Sequence, residues 1–209
     1  MRALRTPPDG YVRAGRVMLQ GNRRLLVRLN VASLLLFLGA AVVFGFLGTL
    51  LRPDLLDFAV LVVGSPVLAV GVLILVPAMQ VVLHEAVHGL AFWYFTGSRP
   101  VFGFTGWYAY ASAPGWYLSR DASLAVLLAP VVLFPVGGLA LVMVLPGPVA
   151  GLVLLAVIVN TTTSVGDVYL AARLLRVPPA AVVADEPAQL SWYLPDRAAM
   201  PGSARGSGR

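Results

Sequence analysis

The chain's two histidines stand four residues apart in the stretch His84-Glu85-Ala86-Val87-His88. On a helix, residues i and i+4 share one face, so both imidazoles reach a single metal ion. Glu85, beside the first histidine, can then hold water next to that ion and act as a general base. HExxH on a helix is the signature of zinc-dependent peptide hydrolysis. Glutamate is as scarce as histidine here: Glu85 and Glu186 are the only two. A catalytic zinc takes three protein ligands and leaves a fourth position for water. The chain offers no third histidine and no cysteine, so the third ligand must be a carboxylate. The metzincin extension is also missing, since Gly89-Leu90-Ala91-Phe92-Trp93-Tyr94 follows His88.

Asp167 is the best-placed carboxylate. Asn160, Thr163, Ser164 and Asp167 recur at spacings of three and four and share one helical face. In a lipid-embedded helix such a stripe points into the bundle, to orient ligands and hold water or simply to join helices. Asp167 has an alternative use, capping its helix end or facing cytoplasmic water. Asp121 and Asp185 are rival ligands. Asp121, in Ser119-Arg120-Asp121-Ala122, also reads as a helix N-cap, and Asp185-Glu186 as solvated residues of a Pro-rich tail.

The elements that carry these residues are apolar. Of 209 residues, 59% are hydrophobic and 11% charged, too few charges to cover a water-soluble surface. Four segments are long enough to cross a bilayer: about 29–51, 58 through the histidines, 122–145 and 149–170. Arg52-Pro53-Asp54 and Pro146-Gly147-Pro148 read as tight turns between them. Pro66, Pro77, Pro130 and Pro135 fall within spans, where they kink helices. Glu85 and Asp167 are the only acids inside these segments, and such residues are costly there unless partnered or functional.

All fifteen basic residues are arginine, seven of them ahead of the first span. Placing both termini in the cytoplasm puts fourteen arginines inside and only Arg52 outside, as the positive-inside rule favours. The second and fourth spans then both run inward, and the histidines and Asp167 reach similar depth independently. Membrane orientation accounts for the net charge of +6 without a nucleic-acid partner. The absence of cysteine excludes disulfides, thiolate metal sites and a cysteine nucleophile. The abundance of Arg, Ala, Gly, Pro and Val points to a GC-rich bacterial genome, hence a multi-pass protein of the bacterial plasma membrane.

Between the second and third spans lies an aromatic, glycine-rich stretch containing Phe102, Phe104, Trp107, Tyr108, Tyr110, Trp116 and Tyr117. Its period-two character reads as a short β-hairpin or re-entrant loop. It either presents a strand edge to an extended substrate, with Tyr108 and Tyr110 in contact, or forms an interfacial aromatic belt. The organisation expected is a basic cytoplasmic tail (1–28), an all-α domain of four transmembrane helices with that hairpin or loop between the second and third (29–176), and a Pro/Gly-rich cytoplasmic tail (177–209). The last carries a short element near Trp192-Tyr193 and a disordered Gly-Ser-Arg end.

HEAVH at the end of a Pro-containing span, an aromatic hairpin, and Asn160 followed by Gly166-Asp167 resemble the zincin peptidase family of small bacterial membrane proteins. The order of elements is also similar to the site-two protease core. The resemblance covers roughly 58–176. It implies zinc held by His84, His88 and Asp167, with Glu85 as catalytic acid/base. It departs from the site-two pattern in that Gly166 precedes the aspartate. The expected activity is hydrolysis of a peptide or membrane-protein segment near the cytoplasmic face, with Asn160 or Arg120 stabilising the oxyanion and Asn160 and Ser164 supporting the ligands. A non-catalytic membrane metal-binding or interaction protein is the alternative. A small transporter using Glu85 and Asp167 as a polar path is a third reading, disfavoured because four spans leave little room.

Overall fold

The computed structural model describes residues 3–18, 21–106, 108–187 and 189–196. The chain divides into two compact units. One holds residues 23–87 and 128–169 and is helical. The other holds the N-terminal part to residue 22, residues 88–127 and the chain from residue 170 onward.

In the helical unit, α1 (Arg23–Leu51) leads into α2 (Leu55–Gly64), followed by the start of α3 (Pro66–Thr96). The uninterrupted second span expected from the apolar run is broken at Ser65-Pro66. Pro66 opens α3, where its missing N–H costs nothing, and Ser65 is extended, as the residue before proline prefers. The Ser65 hydroxyl accepts the Leu68 N–H at 3.4 Å. The unit continues with most of α4 (Arg120–Val144), then α5 (Gly147–Thr163) and the start of α6 (Val165–Leu174). The expected fourth span is α5 plus α6, bent by 43°. The Asn160 carbonyl accepts the Thr163 hydroxyl, the Ser164 hydroxyl and the Ser164 N–H, and this crowding of donors marks the break.

Small residues let these helices approach. Ala40, Leu55, Val142, Ala150, Leu154 and Ile158 form a buried cluster, and a Cβ on Gly151 would fall on the Phe58 ring. The apolar side chains around this cluster face outward instead: Val42 is 71% exposed, Val63 82% and Val67 86%. Three helices (α1, α3, α4) are long and apolar enough to cross a membrane, or four if the bent pair α5–α6 counts as one span. Such helices, exposed over apolar faces of this extent, are compatible with a membrane protein.

The other unit corrects the all-α expectation: a sheet is present. Strands β1 (Tyr11–Met18), β4 (Tyr117–Ser119), β5 (Val182–Glu186) and β6 (Gln189–Pro195) form one antiparallel sheet in the order β1-β6-β5-β4. Strands β2 (Val101–Phe104) and β3 (Ala109–Ser112) form the separate hairpin that the aromatic stretch suggested. Gly15 is required where β1 crosses β6, because a Cβ there would fall within the Trp192 ring. Leu118 and Val183 are buried almost completely, each worth about 1.5–3 kcal/mol if water surrounds the unfolded chain. Asp185 and Glu186, read as tail residues, belong to β5. Asp121 is not the N-cap of α4. It lies within the first turn, while the Ser119 hydroxyl accepts the Ala122 N–H at 3.3 Å. The Gly-Ser-Arg end lies outside the described residues.

Candidate metal centre

The second half of α3 buries a residue at every fourth position: Gln80, His84, His88 and Phe92, all at most 6% exposed. This spacing keeps the polar members on one face of the helix. Glu85, one residue round from His84, is half-buried. Helix α4 carries Val126 and Pro130, α5 carries Asn160, and the bend after Ser164 puts Asp167 in the first turn of α6.

These elements give each histidine a defined partner on its Nδ1 side. His84 Nδ1 lies 3.0 Å from Asn160 Oδ1, and His88 Nδ1 lies 2.9 Å from the Val126 carbonyl. Both partners are acceptors, so in each ring Nδ1–H donates and Nε2 is turned to the opposite side. Asn160 is completely buried. Its oxygen also accepts from Gln80 Nε2 at 3.1 Å, and its Nδ2 donates to the Pro130 carbonyl at 3.1 Å. Those bonds fix which way the amide points. Asp167 Oδ2 stands 3.0 Å from His84 Nε2.

The ligand atoms of His84, His88 and Asp167 all lie within 4.8 Å of one another. A tetrahedral zinc with bonds of about 2.0–2.2 Å needs donors roughly 3.3–3.5 Å apart. The His84–Asp167 pair, at 3.0 Å, is already that close, and no separation in the group exceeds 4.8 Å. Two neutral-imidazole nitrogens and a carboxylate oxygen are also a donor set that zinc accepts, so the residues fit the ion.

Of the other residues singled out in the sequence, Ser164 is buried and donates to the Asn160 carbonyl, and Thr163 does so from an exposed position. Arg120 is engaged elsewhere, donating to Asp121 and to the Val177 carbonyl. Tyr108 and Tyr110 belong to the hairpin, where burial raises the Tyr108 phenol above its ordinary value. The hairpin is seated against α3 one residue after His88, since a Cβ on Gly89 would meet the Phe102 ring and, at 3.2 Å, Pro100. Sequence reasoning missed Gln80. The signal was there: it is the lone side-chain amide of the apolar run, one turn before His84.

Two helical histidines with their Nδ1 atoms facing acceptors and a carboxylate beside them form a group that could hold a metal ion. The model of the family described as "putative zincin peptidase" matches residues 78–182, and the chain belongs to that family. No curated protein and no solved structure matches it.

Proposed function

We propose that this protein is a zinc-dependent metallopeptidase of the bacterial plasma membrane, with the elements arranged as in the site-two protease core. It cuts peptides or membrane-protein segments near the cytoplasmic face. The observation that carries the reading is the grouping of His84, His88 and Asp167, with both histidine Nδ1 atoms already committed to acceptors. These three residues would hold zinc. Bound there, zinc supplies Lewis acidity, which makes water a nucleophile at neutral pH and polarises a peptide carbonyl. Glu85 takes the proton from the attacking water and passes it to the leaving amine. Asn160 and Gln80 hold His84 in register. Asn160, wholly buried with its Nδ2 already donating to the Pro130 carbonyl, is an orienting residue and not the oxyanion donor.

The positive-inside count of fourteen arginines against Arg52 supports cytoplasmic termini. Asn160 lies thirteen residues beyond Gly147 on α5. At 1.5 Å per residue that is roughly 20 Å from the outer end in a hydrocarbon core of about 30 Å. This depth supports chemistry toward the cytoplasmic side, and the bilayer as the protein's surroundings.

Purified protein is expected to hold one zinc per chain and to cleave a peptide library. Glu85→Gln is expected to keep the zinc and lose cleavage by about 10²–10⁴-fold. Zinc binding with no cleavage by either form supports the non-catalytic metal-binding alternative. Full activity in Glu85→Gln sinks the assigned base.

A further inference from the structure

Helix α4 has two interior prolines, Pro130 and Pro135. A helical proline has no N–H, so the carbonyl four residues earlier loses its usual donor. For Pro130 that carbonyl belongs to Val126, and for Pro135 to Val131. The Val126 carbonyl is the group that faces His88 Nδ1, at 2.9 Å in a buried setting. Pro130 also offers its own carbonyl to Asn160 Nδ2, and Asn160 in turn faces His84 Nδ1. Pro130 is itself among the fully buried side chains. One residue therefore stands behind both histidines, through the hydrogen it lacks and through the oxygen it presents.

We propose that Pro130 is a positioning residue for the metal centre: its missing N–H leaves the Val126 carbonyl open to His88 Nδ1–H, which fixes the tautomer that presents Nε2 to zinc. This rests on the zinc reading of the site. A backbone acceptor suits the role because it is held by the helix on both sides and neither rotates nor changes charge. An ordinary residue at position 130 would return an N–H to the helix ladder. That N–H would compete for the Val126 oxygen, and His88 would divide between its two neutral ring forms. Ligating histidines are commonly held through their other nitrogen. Here the acceptor is created by a proline on a different helix.

The test compares the full-length wild type with Pro130→Ala, Pro130→Val and Pro135→Ala. Zinc affinity is measured by chelator competition, cobalt-substituted protein by its visible absorption, and the His88 ring form by ¹⁵N shifts in metal-free protein at alkaline pH. Both Pro130 variants are expected to bind zinc about 10–100-fold more weakly, with an altered cobalt spectrum and mixed His88 ring forms. Pro135→Ala, which restores a donor to a carbonyl that faces neither histidine, is expected to match the wild type. Thermal melting of the same samples separates the effect from misfolding, since alanine favours a helix more than proline. Wild-type affinity in both Pro130 variants, or an equal loss in Pro135→Ala, overturns the proposal. A wild type that takes up neither zinc nor cobalt refutes the zinc reading instead. The ¹⁵N comparison then decides the hydrogen-bond claim alone: an unchanged His88 pattern in the Pro130 variants overturns it, and a mixed pattern upholds it.

Discussion

Helix α5 has a polar cluster at each end, and the two differ in what they leave over. At its start, Arg52 donates to both Asp54 oxygens, to the carbonyl of Val142 in the last turn of α4, and to that of Leu145 just past its end. Gly147 is small where Asp54 presses on it: a Cβ would come within 2.7 Å of Oδ2. The hydrogen bond from Arg52, ahead of the simple charge attraction, lowers the Asp54 pKa and raises that of Arg52. Charge meets charge and orphan carbonyls meet donors, so this cluster is a lock. At the far end, Gln80, Asn160, Val126 and Pro130 spend their hydrogen bonds on orientation. What they orient is two ring nitrogens and a carboxylate oxygen grouped within 4.8 Å. Brought that close, these three atoms form a group that could hold a metal ion. A polar cluster inside apolar helices thus reads as structural when its demands cancel, and as a site when several demands share one sign.

That contrast predicts a graded series in metal binding. The largest effect belongs to Asp167→Ala, which removes one of the three ligands. Zinc content measured by mass spectrometry is expected to fall from one per chain to near none, and cleavage with it. Retention of stoichiometric zinc breaks the contrast outright. Asn160→Ala comes next: His84 loses its Nδ1 acceptor, and zinc affinity is expected to drop about 10–100-fold. It also strands Gln80, at a cost of about 1–3 kcal/mol in unfolding experiments.

Arg52→Ala is expected to leave zinc affinity unchanged while lowering the melting temperature. The Asp54 pKa is lowered in the folded protein, so the pair's contribution is complete above the ordinary aspartate value of about 4. It fades as pH falls through the lowered folded value. The melting gap between wild type and Arg52→Ala is therefore expected to be widest from neutral pH to mild acid and to narrow in stronger acid. Added salt should shrink it, because the pair is near the surface. A gap that widens in acid contradicts the pairing.

Local chemistry was legible in the sequence, and long-range pairing was not. His84, Glu85 and His88 declare themselves by spacing, and Asp167 by being an acid in an apolar segment. The hairpin of β2 and β3 shows in alternation over a few neighbouring residues. The four-stranded sheet does not. Val182-Val183-Ala184 of β5 are buried on both faces, so they read as a short apolar run without a period. Tyr11–Met18 reads as a basic tail because its partner, β6, is more than 170 residues away. The bend at Ser164 was hidden for another reason: serine and threonine bonding back to a carbonyl four residues earlier is common in straight helices too. Gln80 escaped notice although it stands one turn before His84, because what a lone amide does is set by its partner, here Asn160.

The pairing of β1 with β6 has a consequence in time. Ribosomes release the chain from its first residue onward, so Tyr11–Met18 emerges long before Gln189–Pro195 exists. Throughout synthesis of the helices α1 to α6, β1 lacks the neighbour it will keep. Its backbone must stay solvated, or be guarded by a chaperone, until the sheet can close. Closure of this sheet is therefore a late event that waits on β6.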